Sequence, residues 1–348
     1  MILITGGAGF IGSHVADALL ATGYPVRILD ALLPAVHEQA PDYLPTEAEL
    51  VRGDVRDRDT VRRALRGVEH VCHQAAMVGM GGDFADVTDY VAHNDAGTAT
   101  LLSELAATGF AGRLVLASSM VVYGEGRYEC PHDGTVRPGP RRLSDLREGR
   151  FEPACPHCAR ELAPIAVPED APLDPRNVYA ATKVHQEHLC LALARERGVP
   201  VCALRYHNVY GPRMPRDTPY AGVASLWASA LAQGDAAQVY EDGAQLRDFV
   251  HVRDVALANV LALTAPEPVS GAFNVASGQP RSIGDVAAAL TDAAGLRAPR
   301  PQVTGRFRAG DVRHVFASPA RAADELGFKA QEDFDAGMRE LAGAATPL

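Results

Sequence analysis

Thr5-Gly-Gly-Ala-Gly-Phe-Ile-Gly12 decides the fold. A short apolar run, Ile2 to Thr5, precedes it and reads as the first strand of a parallel sheet. Gly6, Gly9 and Gly12 recur every three residues. In such a run the first glycine permits the tight turn, the second lets a pyrophosphate approach the backbone, and the third lets the following helix pack against the strand. Phe10 leads into that helix and, with Ile11, is placed against the cofactor; the sequence runs the helix from roughly Ile11 to Ala21. Its free N–H groups and positive dipole end would face the phosphates of a dinucleotide. A second strand, Val26 to Asp30, ends in a carboxylate about twenty residues on, where a ribose 2′-hydroxyl should be held. Ala31 and Leu32 follow it, with no Arg or Lys, which favours NAD over NADP.

Working outward, Leu50 to Gly53 and Val71 to Ala76 read as the third and fourth strands, and Asp54-Val55 is placed beside the adenine. Leu114 to Ser118 is a further strand, with Ser118-Ser119 at its carboxyl end, where ligands of parallel sheets collect. Asn177 to Gly198 reads as one helix, stopped by Gly198 and Pro200. Tyr179 and Lys183 lie one turn apart on it, within Tyr-Ala-Ala-Thr-Lys. An ammonium beside a phenol favours the phenolate, so the pair is read as a proton-transfer device with a lowered Tyr179 pKa. Either residue alone would be a half-buried aromatic or a surface charge.

These motifs, with His73-Gln74-Ala75-Ala76, Val122-Tyr123-Gly124, Leu204-Arg-Tyr206-His-Asn208-Val-Tyr-Gly-Pro212 and Arg247-Asp-Phe-Val-His251-Val, run through most of the chain. The chain resembles the extended short-chain dehydrogenase/reductase family of nucleotide-sugar epimerases and dehydratases. The resemblance implies an α/β fold: a doubly wound parallel sheet binding tightly held NAD, with a smaller C-terminal substrate lobe. It makes Ser119, Tyr179 and Lys183 catalytic, and adds Gln74, Ala75, Ala76 and Tyr206 to the cofactor contacts. In dehydratases of that family the two positions after the catalytic Ser or Thr are Asp and Glu; here they are Met120 and Val121, which transfer no protons. Related 3,5-epimerases resemble the chain around Met77 to Gly82 but place a catalytic Cys where Val121 stands.

What remains is hydride transfer at one carbon. The resemblance implies a C4 epimerase: Tyr179 removes the C4 hydroxyl proton, NAD takes the hydride, and the 4-keto sugar turns and is reduced on its other face. Looser likenesses (Val36-His37, Pro138 to Leu143, Thr218 to Gly222, Tyr240-Glu-Asp-Gly243, Arg308 to His314) lie within 4-epimerases of the dTDP-L-rhamnose type and suggest a dTDP- or UDP-linked hexose. The alternatives are an NAD(P)-dependent 4-keto-sugar reductase, which would consume free cofactor, and a non-catalytic nucleotide sensor. A nucleotide diphosphate needs local cations in a chain of net charge −10. The resemblance puts Arg247 and Arg308 on it, with Asn208 and Met77 as further contacts, Tyr240 against the base, and Arg213 as a candidate beside an equally weighted surface role.

An insertion, 125–176, carries Cys130-Pro-His132 and Cys155-Pro-His157-Cys158 and has little apolar periodicity. Cys130, His132, Cys155 and Cys158 make a tetrahedral zinc set, with His157 the alternative to His132. The competing reading is a loop of free thiols or one disulfide, the latter disfavoured because nothing marks secretion. Such a zinc would be structural. Cys72, Cys190 and Cys202 read as small core hydrophobes.

The 348 residues are 47% hydrophobic, without heptads, repeats, basic stripes or an apolar run of membrane length. Nucleic acid and membrane partners are therefore not expected, and a cytoplasmic enzyme is. The expected division is a cofactor domain of 1–208 with 246–270 returning to it, and a substrate lobe of 209–245 and 271–348. Helices near Ala96 to Thr108 and Val178 to Ala194 are the expected homodimer bundle of that family.

Overall fold

The computed structural model describes residues 1–34, 36–37, 41–79, 84–215 and 222–345. Met80, the rest of the 80–82 stretch and Thr218 to Ala221 lie outside the described residues. Seven parallel strands form the central sheet: β1 (Ile2–Thr5), β2 (Val26–Asp30), β3 (Glu49–Arg52), β4 (His70–His73), β5 (Leu114–Ser119), β6 (Val201–Tyr206) and β7 (Gly271–Val275). Their spatial order is β7-β6-β5-β4-β1-β2-β3. The direction of winding reverses between β1 and β4, and the resulting crevice at the carboxyl ends is where a doubly wound sheet binds its ligand.

Strand alternation divides the core into two layers. Ile2, Ile4, Ile28, Cys72 and Leu204 face α1 (Phe10–Ala21) and α4 (Val252–Thr264), burying Val15, Leu19, Val255 and Leu263. Leu3, Leu29, Val71, Leu116 and Ala203 face the other way, onto Leu101 and Leu105 of α2 (Gly97–Ala107) and Cys190 and Leu193 of α3 (Val178–Arg197). A third cluster, including Tyr210, Trp227, Phe249, Leu290 and Met338, is the core of the C-terminal lobe. Among the described residues no helix is long and apolar enough to cross a membrane.

The helix α3 has the ends its sequence asks for. Asn177 caps it, its side chain accepting from the Ala180 N–H at 2.8 Å, and Gly198 closes it at φ +69°. The segment boundaries differ from expectation at two places. Gly271–Val275, assigned to the lobe, is β7 and pairs with β6, because Phe273 and Val275 bury completely against the sheet. Leu246–His251, assigned to the main sheet, pairs instead with Asn208–Tyr210 and Pro280–Ser282 in a separate three-stranded sheet. The chain then returns through α4, which packs on α1. It thus passes back and forth: β6 to Asn208–Tyr210, Leu246–His251 to α4, β7 to Pro280–Ser282.

Beneath the crevice lies a buried ion pair. Glu187 on α3 accepts two bonds from Arg205 on β6, at 2.9 and 2.8 Å, and one from Ser118 Oγ on β5, at 2.5 Å. Glu187→Leu would leave the Arg205 guanidinium buried and unpaired. The expected loss is about 3–5 kcal/mol of unfolding free energy in a urea titration. Glu196→Leu, at the exposed end of the same helix, should stay within about 0.5 kcal/mol.

Candidate active site

The cleft at the winding reversal has a volume of about 470 Å³ and is lined by the glycine loop, the ends of β1, β2, β4, β5 and β6, and the start of α3. Gly6 sits at φ +69°, and a Cβ there would meet the Ala75 backbone N at 2.6 Å. A Cβ on Gly12 would meet the Gly6 carbonyl oxygen at 2.2 Å. These approaches make glycine obligatory at both positions. Gly9 precedes α1 without any side-chain cap, so the amides of its first turn, from Phe10 to Gly12, are free to meet an anion. Asp30 also lines the cleft and holds the loop: its Oδ2 accepts from the Ala8 N–H at 3.0 Å and its Oδ1 from the Leu32 N–H at 2.9 Å. Each carboxylate oxygen keeps a second lone pair for ribose hydroxyls.

Asp54, Val55, Gln74, Ala75, Ala76, Met77 and Tyr206 line the same cleft. Tyr206 is held by a polar network rather than left free. Its hydroxyl donates to Asn259 Oδ1 and accepts from Gln74 Nε2, both at 2.9 Å. Asn259, on α4, carried no signal in the sequence. Nor did Asn94 read as a site residue, though its position inside a helix was a weak one, since Asn is a poor helix former. Asn94 lies in a π-helical turn, Val91–Ala96. It accepts from the Met77 N–H at 2.7 Å and donates to the Met77 carbonyl and Thr182 Oγ1, both at 2.9 Å. This fixes the Met77 loop to the Tyr179 helix. Met120, His93 and His207 complete parts of the wall; burial pushes His207 down to about 3, so it is neutral.

Ser119, Tyr179 and Lys183 converge on this cleft. Ser119 ends β5 beside Tyr206 of β6 and hydrogen-bonds the Tyr179 phenol. Lys183 is buried, its Nζ donating to the Ala117 carbonyl at 2.8 Å and lying 5.8 Å from the Tyr179 ring centre. The expected lowering of the Tyr179 pKa is not what this environment gives. Burial pushes the phenol above its ordinary value, against a smaller opposing effect of the Ser119 hydrogen bond. Burial also pushes the Lys183 ammonium down, to about 8. Desolvation is the largest cause at both groups.

The expected substrate side divides. Met77 and Asn208 line the cleft, and Asn208 Oδ1 is buried without a partner among the described residues, an acceptor that a ligand donor would satisfy. The four other predicted residues do not line it. Arg213 donates to Asp17 at 2.8 Å and stacks 4.8 Å from the Tyr43 ring centre, which is the surface role weighed for it. Arg247 is nearly buried, donating to the carbonyls of Leu246, Arg313 and Val312 at 2.8–2.9 Å; backbone acceptors, not an open wall, surround it. Tyr240 carries Arg308 at 5.3 Å from its ring centre. Trp227 is core, donating to the Gln238 carbonyl. Arg313, which the sequence left unremarked, is fully buried between Glu152, Glu241 and Asp242.

The insertion brings Cys130, Cys155 and Cys158 together but not His132 or His157, which are exposed. Asp133 takes the fourth place. The signal that could have found it is a repeat: Cys130-Pro-His-Asp133 and Cys155-Pro-His-Cys158 differ only in the last residue.

With the geometry in hand, the comparisons agree with it. The model of the NAD dependent epimerase/dehydratase family matches residues 2–143 and 159–276. A dTDP-L-rhamnose 4-epimerase of Burkholderia thailandensis is 34% identical over 98% of this chain and 93% of its own length. A putative UDP-glucose 4-epimerase of Methanocaldococcus jannaschii is 29% identical over 98% of this chain and 97% of its own. The UDP-glucose 4-epimerase of Thermus thermophilus, solved with NAD, superposes with a TM-score of 0.76 at 29% identity, covering 99% and 98% of the two chains. A glycine loop that only glycine can form, a strand-end Ser beside a helical Tyr/Lys pair and these matches have one common account: the chain belongs to the NAD dependent epimerase/dehydratase family.

Proposed function

We propose that this chain is an NAD-dependent nucleotide-sugar 4-epimerase, acting on a dTDP- or UDP-linked hexose such as dTDP-L-rhamnose. The observation that carries the reading is the meeting of Ser119, Tyr179 and Lys183 in one cleft with Met120 and Val121 following Ser119. The set can move one proton and stabilise one carbonyl, and it has no second acid–base pair for eliminating water. The relatives named above are 4-epimerases, which favours this over a keto-reductase consuming free cofactor.

The residues present fit the cofactor. Gly6, Gly9 and Gly12 with the first-turn amides would take its pyrophosphate, Asp30 its adenosine ribose, Asp54 and Val55 its adenine, and Lys183 its nicotinamide ribose. NAD, when bound, supplies a hydride acceptor and, oxidised, a positive charge. Tyr179, held protonated by burial, would release that proton to solvent as the added positive charge of the cofactor favours the phenolate, leaving it able to accept one from the substrate. Tyr179 takes the C4 hydroxyl proton, and Ser119 donates to the oxygen as it becomes a carbonyl. The same phenol returns the proton after the sugar has turned. The exposed Arg308 is the proposed diphosphate contact, having no acidic partner among the described residues, and Asn208 is a substrate contact whose unpartnered Oδ1 would accept from a ligand hydroxyl. Arg247 supports them from behind by fixing the segment 311–313. Zinc, in the same reading, is a structural ion of the insertion with no part in hydride transfer. The helices α2 and α3 pack side by side and are the proposed homodimer face.

Denatured protein should release NAD, identified by mass spectrometry, and intact protein should convert dTDP-L-rhamnose to its C4 epimer without added cofactor, followed by NMR. Turnover that needs added NAD(P) and accumulates NAD(P)H would overturn the epimerase. Tyr179→Phe should lower kcat by about 10²–10⁴-fold while the NAD content of the purified protein stays unchanged. The pH profile has a definite sign. The Lys183 ammonium is present below its folded value of about 8 and lost above it. The rate should therefore fall as pH rises through about 8, and Lys183→Arg should move that limb upward, Arg staying protonated.

A further inference from the structure

The two Cys-Pro-His turns of the insertion are built alike. The first joins the antiparallel strands Arg127–Cys130 and Gly134–Val136. The second is closed by the Cys155 N–H donating to the Arg160 carbonyl at 2.8 Å and the Ala159 N–H donating to the Cys155 carbonyl at 2.9 Å, with Ala159 at φ +58°. Ala154 and Glu161 pair across its base, and Ala163–Ile165 then adds a third strand beside Arg127–Cys130. The two turns face each other. Cys130 and Cys158 sulfurs are 3.4 Å apart, and Asp133 Oδ2 lies 3.4 Å from the Cys130 sulfur and 3.1 Å from that of Cys155. All four ligand atoms lie within 4.8 Å of one another. Metal–sulfur bonds of about 2.3 Å in a tetrahedron give edges of about 3.8 Å, close to these spacings.

Polar contacts such as Arg141–Glu241 and Glu152–Arg313 tie the insertion to the lobe, but the core around the two turns is small. Its hydrophobic cluster is Tyr128, Cys130, Val136, Cys155 and Leu162, and two of these are the converging cysteines themselves. A core of that size does not order a segment by burial alone. We infer that Cys130, Asp133, Cys155 and Cys158 bind one structural zinc ion, with Asp133 and not His132 as the fourth ligand. Asp133 occupies in the first turn the place of Cys158 in the second. His132 points outward and holds the other oxygen of the Asp133 carboxylate, at 3.0 Å. Binding releases the three thiol protons, and four protein ligands leave no coordination position open to substrate.

What the ion would brace follows from the contacts of the insertion. Tyr128, in the same cluster, donates to Glu125 at 2.6 Å and accepts from the His314 N–H at 3.2 Å. Glu152, just before the second turn, binds Arg313 at 2.5 Å and His314 at 2.8 Å. The Val312 and Arg313 carbonyls in turn hold Arg247. The metal therefore steadies the segment next to Arg308, and this last step rests on the nucleotide-sugar reading.

The test uses the full chain purified under reducing conditions. Elemental analysis should find about one zinc per chain, and cobalt in its place should give the tetrahedral d–d and sulfur-to-cobalt absorption of a thiolate site. Against a competing chelator, Asp133→Ala should lose zinc at least about tenfold more readily, Asp133→Cys should hold it more tightly, and His132→Ala should still carry about one ion. Reduced wild-type chain that takes up no zinc when it is supplied would overturn the site, as would chain isolated without reductant in which Cys130 and Cys158 are joined by a disulfide. Retention by Asp133→Ala with loss by His132→Ala would overturn the ligand set. These readouts involve no substrate and stand apart from the epimerase reading. Where the wild-type chain turns over sugar, Asp133→Ala should raise KM with bound NAD unchanged; an unchanged KM would overturn the bracing.

Discussion

Three segments remote in sequence meet because Glu187, Arg205 and Ser118 share one buried ion pair. Each has a neighbour that faces the cleft. Ser118 precedes Ser119, Arg205 precedes Tyr206, and Glu187 stands one turn beyond Lys183 on the helix that begins with Tyr179. The pair thus sets the relative height of β5, β6 and α3, and with it the distance between the strand-end hydroxyl and the phenol. A buried pair of this kind adds little net stability over a hydrophobic filling. What it adds here is registry: a slip of α3 against the sheet would break charge-assisted bonds from two strands at once.

Electrostatics in the two lobes follow opposite plans. In the cofactor cleft, burial keeps a phenol neutral and weakens an ammonium, leaving the site close to discharge until a ligand brings charge of its own. In the lobe, cations are consumed internally. Arg313 is enclosed by Glu152, Glu241 and Asp242, and Arg141 forks onto Glu241. Such arginines build walls; they do not recruit phosphate. Arg308 differs from these: it is exposed, and no acidic partner takes its charge among the described residues.

What the sequence made legible was local. Gly6 and Gly12 declare their own steric need, Asn177 and Gly198 mark the ends of α3, and the spacing of Tyr179 and Lys183 survives any detail of packing. Reading failed where the answer depended on distant partners. Arg247 sits in a motif that suggests a phosphate contact, yet carbonyls some sixty-five residues away take its protons. The Tyr179 environment turned on how much protein closes over it, which no spacing reveals. Gly271–Val275 could be placed in the main sheet only by its pairing with Val201–Tyr206. Asp133 is a different case, because the repeated Cys-Pro-His turn already aligns it with Cys158 in the sequence.

The path of the chain between the two lobes has a consequence for how a sugar can be inverted. Hinged proteins join their halves through a few flexible residues. Here the polypeptide threads from one half to the other and back, and the connections are short: His207 alone separates β6 from Asn208–Tyr210, Leu246–His251 runs directly into α4, and four residues separate β7 from Pro280–Ser282. Halves stitched in this way cannot gape and reclose during each cycle. Any half-turn between oxidation and re-reduction must be made by the ligand, pivoting on its own flexible linkage inside walls that stay still. The enzyme then acts as a stator: it holds the nucleotide end fixed and leaves the reacting ring as the moving part.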